Sequence, residues 1–132
     1  MVGAFWADHT EHDASLKVFV AAHRKSAACG IHSLAEVYAT MTALPVRPVL
    51  APEQVWLFVQ QIAERLTLVS LLEDEYLRTL SEAAERRLSS GRVYDALLVA
   101  CARKSQAEII YTWDVKHFRQ IATDLADRIR TP

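Results

Sequence analysis

Three carboxylates sit in stretches where an ordinary soluble domain places apolar residues. Glu36 lies in HSLAEVYATM, Asp95 in RVYDALLVACA, and Asp114 closes EIIYTWD. A carboxylate buried without a partner is expensive, so such groups are paired, protonated or bound to metal. Three of them converging on one point make an oxygen-rich site for a hard divalent cation. Each also has an ordinary explanation. Ser33 followed by Glu36 reads as a capping box opening a helix. Asp95 has Arg92 at i−3 as a salt-bridge partner. Asp114 is a residue type that turns and helix caps favour. The chain offers no convincing Ser/His/Asp or Cys/His pair for nucleophilic catalysis. His23 and His117 read as structural or solvent-facing rather than as ligands.

The elements that must position these acids follow from pattern. VGAFWADHTEH reads as a short amphipathic helix. Asp13 is placed to cap a second, ASLKVFVAAHRKS, with Leu16, Phe19, Val20 and His23 on one face. AACGI is short and apolar, as a buried strand is. SLAE opens the helix that carries Glu36. PVRPV interrupts regular structure at Pro45 and Pro48, and Pro52 starts PEQVWLFVQQIAERL at its favoured first position. TLVSLL reads as a strand. EDEYLRTLSEAAERRLSS is a helix with an acidic start and a basic end, as the macrodipole favours, and Gly91 is placed to stop it. VYDALLVACARKS reads as a largely buried helix and EIIYTW as a buried strand ending at Asp114. LADRIR is read as an edge strand. Helices alternating with short, nearly all-apolar strands argue for an α/β fold with a parallel sheet covered on both faces. In such sheets, sites gather at the carboxyl ends of strands, where Asp114 falls.

Composition narrows the class. The chain has 132 residues, which suits one compact domain over 1–132. Hydrophobic residues make up 52% against 23% charged, which argues against disorder. No apolar run approaches the roughly 20 residues of a membrane span. MVGAFWADHTEHD lacks the basic start of a secretory signal. Cys29 and Cys101 sit in small apolar contexts and read as buried free thiols, which fits a reducing cytoplasm. With a net charge of −1 the chain does not advertise the broad basic face of a nucleic-acid binder. Arg24 with Lys25, or Arg86, Arg87 and Arg92, are local candidates for one.

Taken in order, these pieces resemble the PIN domain, and within it the VapC-type toxins of bacterial toxin–antitoxin pairs. AFWADHTEHDAS is similar to the first helical hairpin, SLAEVY to the helix bearing the family's Glu, GRVYDALLVACA to the helix carrying its third acid, and TWDVKHF to the T-x-D-x-x-F turn carrying the fourth. The resemblance implies a three-layer α/β/α fold with a central, mostly parallel sheet covered by helices. It implies an endoribonuclease dependent on Mg²⁺ or Mn²⁺, with Glu36, Asp95 and Asp114 as metal-site acids and Thr112 positioning a water or Asp114. It also implies an RNA substrate, a cognate antitoxin and a homodimer.

The family's opening strand ends in an Asp, and MVGAF resembles only the end of that stretch. The chain as given is therefore expected to lack the first strand and its acid: either they lie upstream of Met1 in the natural protein, the favoured reading, or the protein truly lacks them. A site of three acids should bind metal more weakly than one of four. Asp8, His9, His12 and Asp13 are substitutes in principle, and Asp8 and His12 lie one turn apart if their segment is helical. Trp6, Trp56 and Trp113 read as core or interface, with Trp113, beside Asp114, the candidate for stacking on RNA. Two rival readings accompany the nuclease. One is a catalytically inactive module that keeps the fold and binds an antitoxin-like peptide. The other is a different metal-dependent phosphohydrolase, disfavoured because the chain has three glycines and no phosphate-cradling loop.

Overall fold

The computed structural model describes residues 1–46 and 48–132. Arg47, within PVRPV, lies outside the described residues. The chain forms two compact units, Met1–Leu68 and Val69–Pro132.

In the first unit, α1 (Val2–Phe5) and α2 (His12–Ala21) form a hairpin. The expected helix over VGAFWADHTEH ends early, because Trp6 is extended at φ −112° and ψ 102°. The residues that follow form turns. The Glu11 amide donates to His9 Nδ1 at 3.1 Å, and His12 Nδ1 lies 2.8 Å from the Gly3 carbonyl oxygen. These bonds start α2 at His12, so Asp13 stands in its first turn rather than at the cap. The acid still favours the positive end of the helix dipole there. Of the face expected on this helix, Phe19 is buried. Val20 is exposed, and His23 lies beyond the helix end. The substitute ligands Asp8, His9, His12 and Asp13 therefore sit in a locally bonded turn and helix start, not on one helical face.

Strand β1 (Ala28–Gly30) pairs with β2 (Thr67–Val69). Between them in sequence come α3 (His32–Thr42) and α4 (Pro52–Arg65). Pro52 takes the first position of α4, where its missing N–H costs nothing. Val55, Val59 and Ile62 recur on one face of α4 and are buried. The core gathers Ala4, Phe19, Val37, Met41, Val55, Ile62 and Leu66. Phe5 bridges α1 to both neighbours, edge-on to Phe19 at 5.0 Å and stacked on Phe58 at 4.9 Å. At the end of α4, Arg65 donates to the carbonyls of Val20 and Ala22, binding the C-terminal turn of α2.

The capping box expected at Ser33 is absent. Helix α3 starts one residue earlier, with Ile31 at the cap, so Ser33 is inside the helix. Its hydroxyl is buried and has no hydrogen-bond partner among the described residues. Removing an unsatisfied buried hydroxyl relieves its desolvation cost, about 1–3 kcal/mol. Ser33→Ala should therefore hold or raise the thermal midpoint. A true cap would lose about 1 kcal/mol, so a clear fall in the melting curve counts against this geometry.

In the second unit, α5 (Glu73–Glu85) is followed by α6 (Arg92–Lys104), β3 (Ile110–Tyr111), α7 (Val115–Ile121), a 3₁₀ turn over Thr123–Arg128, and β4 (Ile129–Arg130). Helix α5 ends well before Gly91. Arg87 takes the left-handed conformation at φ 55°. The Leu88 amide bonds the Ala83 carbonyl and the Arg87 amide bonds that of Ala84. This is a Schellman closure, with arginine where glycine is usual. Helix α6 closes the same way through Gln106 at φ 54°, with Ala107 bonded to Ala102 and Gln106 to Arg103. Gly91 instead occupies the N-cap of α6.

The strand expected over EIIYTW is only two residues long and pairs in parallel with β4, Ile110 opposite Ile129 and Tyr111 opposite Arg130. It is not a buried strand, since Tyr111 is exposed. Of LADRIR, only Ile129 and Arg130 are extended. The core here gathers Ala96, Val99, Phe118, Ile121, Ala122, Leu125 and Ile129. Arg103 grips Asp124 with two nitrogens, at 2.6 and 3.0 Å, and ties the end of α6 to the 3₁₀ turn.

Candidate active site

Asp95 and Asp114 come together in the second unit. Asp95 lies in the first turn of α6, preceded by Arg92 and followed by buried Ala96 and Leu97. That sequence forces the helix to turn its apolar side inward and leaves Asp95 half-buried at the margin. Its carboxyl is pushed above the usual carboxylate range by burial first and by the negative charge of Asp114 second; His117 and Arg92 offset part of this. Among the described residues Arg92 makes no salt bridge to Asp95, the pairing considered from spacing; its guanidinium lies beside the His117 ring.

Asp114 is the N-cap of α7 and follows β3 closely. Its Oδ1 accepts the His117 amide at 3.2 Å. Its Oδ2 is bonded to His117 Nδ1. The hydrogen bonds from His117, chiefly from its ring, hold the Asp114 carboxyl below its ordinary range. Thr112 Oγ1 accepts the Asp114 amide at 3.1 Å, while the Thr112 amide donates to the Arg130 carbonyl at 2.9 Å. The Thr112 hydroxyl thus fixes the backbone at Asp114. Capping and site readings of Asp114 are compatible, since a carboxylate has about four lone-pair directions.

Glu36 lies in the first unit, near the middle of α3. Its carboxylate is 4.0 Å from His32 Nε2, one turn back on the same face, and its side chain is 33% exposed. Because α3 opens at Ile31, Glu36 is not the capping residue that its spacing from Ser33 suggested. Within neither unit do three His, Cys, Asp or Glu side chains among the described residues stand close enough to hold a metal ion. Cys29 and Cys101 are free thiols; Cys101 is buried, whereas Cys29 is only partly so.

The donors nevertheless suit a hard cation. Carboxylate oxygens are the ligands that Mg²⁺ and Mn²⁺ take. Two carboxylates that raise the proton affinity of one of them present the charge imbalance that a cation relieves. Pattern reasoning considered His117 and Arg92 without linking either to Asp114. The signal was present in TWDVKHF, where His117 follows Asp114 by the three residues that bring a side chain back to a helix cap.

A helix-rich α/β chain with a parallel strand pair, and acids at a helix start and after a strand, defines a class. The model of the PIN domain matches residues 1–124. The chain belongs to the PIN-domain family, and its fold is the PIN-like α/β/α class that the resemblance implied. Over 102 residues it is 37% identical to Ribonuclease VapC27 of Mycobacterium tuberculosis (strain ATCC 25618 / H37Rv), covering 76% of this chain and 70% of that protein. That likeness supports placing it with the VapC-type members. No helix among the described residues is long and apolar enough to cross a membrane.

Proposed function

We propose that this chain is a divalent-metal-dependent endoribonuclease, the toxin of a toxin–antitoxin pair, acting in the cytoplasm as a single domain over residues 1–132. The observation that carries the reading is the juxtaposition of Asp95 and Asp114, with Asp95 half-buried and raised in proton affinity by burial first and by the charge of Asp114 second. Likeness to a protein named as a ribonuclease supports the substrate class. Glu36, Asp95 and Asp114 are the ligands for Mg²⁺ or Mn²⁺. A bound divalent cation supplies water activation and charge neutralisation at a phosphodiester. Thr112 and His117 hold Asp114 in place. Trp113 is 42% exposed and adjacent to Asp114, a ring on which an RNA base can stack. The partners are an RNA substrate, a cognate antitoxin and a second copy of the chain.

The test is cleavage of a mixed RNA pool with Mn²⁺, with EDTA, and with Glu36→Gln prepared identically. Cleavage should need the metal and fall by about two orders of magnitude in the variant, the scale of removing a group that stabilises transition-state charge. Cleavage indifferent to EDTA sinks the reading. A folded chain that cleaves nothing but binds an antitoxin-like peptide would point to an inactive interaction module.

A further inference from the structure

A directed line of hydrogen bonds runs from α6 to the cap of α7. Arg92 Nη2 lies 3.2 Å from His117 Nε2. A guanidinium only donates, so Nε2 must accept through its lone pair. An imidazole bare at Nε2 carries its proton on Nδ1. Nδ1 is the nitrogen bonded to Asp114 Oδ2, and an ionised carboxylate only accepts. For a neutral ring the line then has one polarity: Arg92 donates to His117, and His117 donates to Asp114. The His117 amide takes the second carboxylate oxygen, Oδ1. Two donors from one residue thus fix the plane of a carboxylate whose side chain is 51% exposed.

We propose that Arg92 and His117 are positioning residues that orient Asp114 for a hard divalent cation. The proposal rests on the reading of Asp114 as a metal ligand. Two of the roughly four lone-pair directions of the carboxylate are occupied, which leaves the others aimed consistently. An exposed carboxylate without these donors would rotate, and a cation would have to order it on binding. Groups that hold a ligand in this way are typically worth about 10–100-fold in metal affinity.

Two measurements on the full chain test this, and neither uses RNA. In the metal-free protein, nitrogen–proton NMR of the imidazole rings should show His117 protonated at Nδ1 and bare at Nε2. Arg92→Ala should weaken that preference without reversing it, because Asp114 still accepts from Nδ1–H. Mn²⁺ titration calorimetry should then show His117→Ala weakening binding by about 10–100-fold. His117→Asn, whose side-chain amide N–H stands near the place of Nδ1–H, should restore most of it. A wild-type ring protonated at Nε2, or a preference for Nδ1–H no weaker in Arg92→Ala than in the wild type, overturns the relay. So does Asn failing to do better than Ala, or a wild-type chain that binds no Mn²⁺. A chain that passes both tests yet cleaves no RNA overturns the nuclease reading alone.

Discussion

Asp95→Asn is expected to lower metal-dependent RNA cleavage by about two orders of magnitude or more, and to raise the thermal midpoint of the metal-free chain. The two effects share one cause. Folding places the Asp95 carboxylate in a half-buried position beside Asp114, and both burial and that charge disfavour its ionised form. A carboxyl whose proton affinity is raised by folding stabilises the fold only while it is protonated. Above the ordinary value of 3.8 the unfolded chain ionises more readily, and folding bears the cost as pH rises. Asn removes the charge, so the gain in stability should be present at pH 7 in EDTA. It should vanish as pH falls below the ordinary carboxylate value, where both forms are neutral. Melting curves of wild type and variant at pH 7 and at acid pH check the stability half, and the RNA assay checks the other. A variant that melts lower at pH 7 would mean that Asp95 is a structural partner, and full retained cleavage would remove it from the site.

Ile62→Ala is the largest expected loss of stability. Ile62 is fully buried on α4, in the core that also holds Phe19, Val37, Met41 and Leu66. Deleting its outer methyl groups removes apolar burial and leaves a cavity, at a cost of about 2–5 kcal/mol. A domain of ordinary stability has about 5–15 kcal/mol in all, so the melting midpoint should drop by roughly 10 °C or more. Leu57→Ala is the internal control. Leu57 is on the same helix but 56% exposed, and its loss should stay within about 0.5 kcal/mol. Equal effects at the two positions would contradict the assigned face of α4.

Local rules were sufficient where local chemistry decides. Pro52 marked the start of α4 because its ring suits the first helical position. Val55, Val59 and Ile62 marked the inward face because helical period alone sets it. Local rules failed where a distant group competes for the backbone. Ser33 has the spacing of a cap, yet α3 begins before it. Gly91 has the conformational freedom to end α5, yet Arg87 takes the left-handed turn, where Leu88 can join the core that also holds Ile121. EIIYTW has strand formers throughout, but only the residues facing β4 have a partner to pair with.

The candidate site divides in the same way. The residue types of Glu36, Asp95, Asp114 and Thr112, their apolar settings and their order were legible in the chain itself. These sufficed to indicate hard-cation chemistry and, by resemblance, the family. What only the tertiary structure decided is which acids meet and who holds them. Asp95 and Asp114 are 19 positions apart in sequence, and their mutual repulsion arises only when α6 and the start of α7 are packed against one core. Arg92 is the ordinary partner that spacing offers Asp95 at i−3, and its guanidinium lies beside His117, 25 residues away. Sequence spacing sets which contacts are within reach along one helix. The choice among competing partners depends on burial and on the direction of each donor, and those exist only in the folded chain.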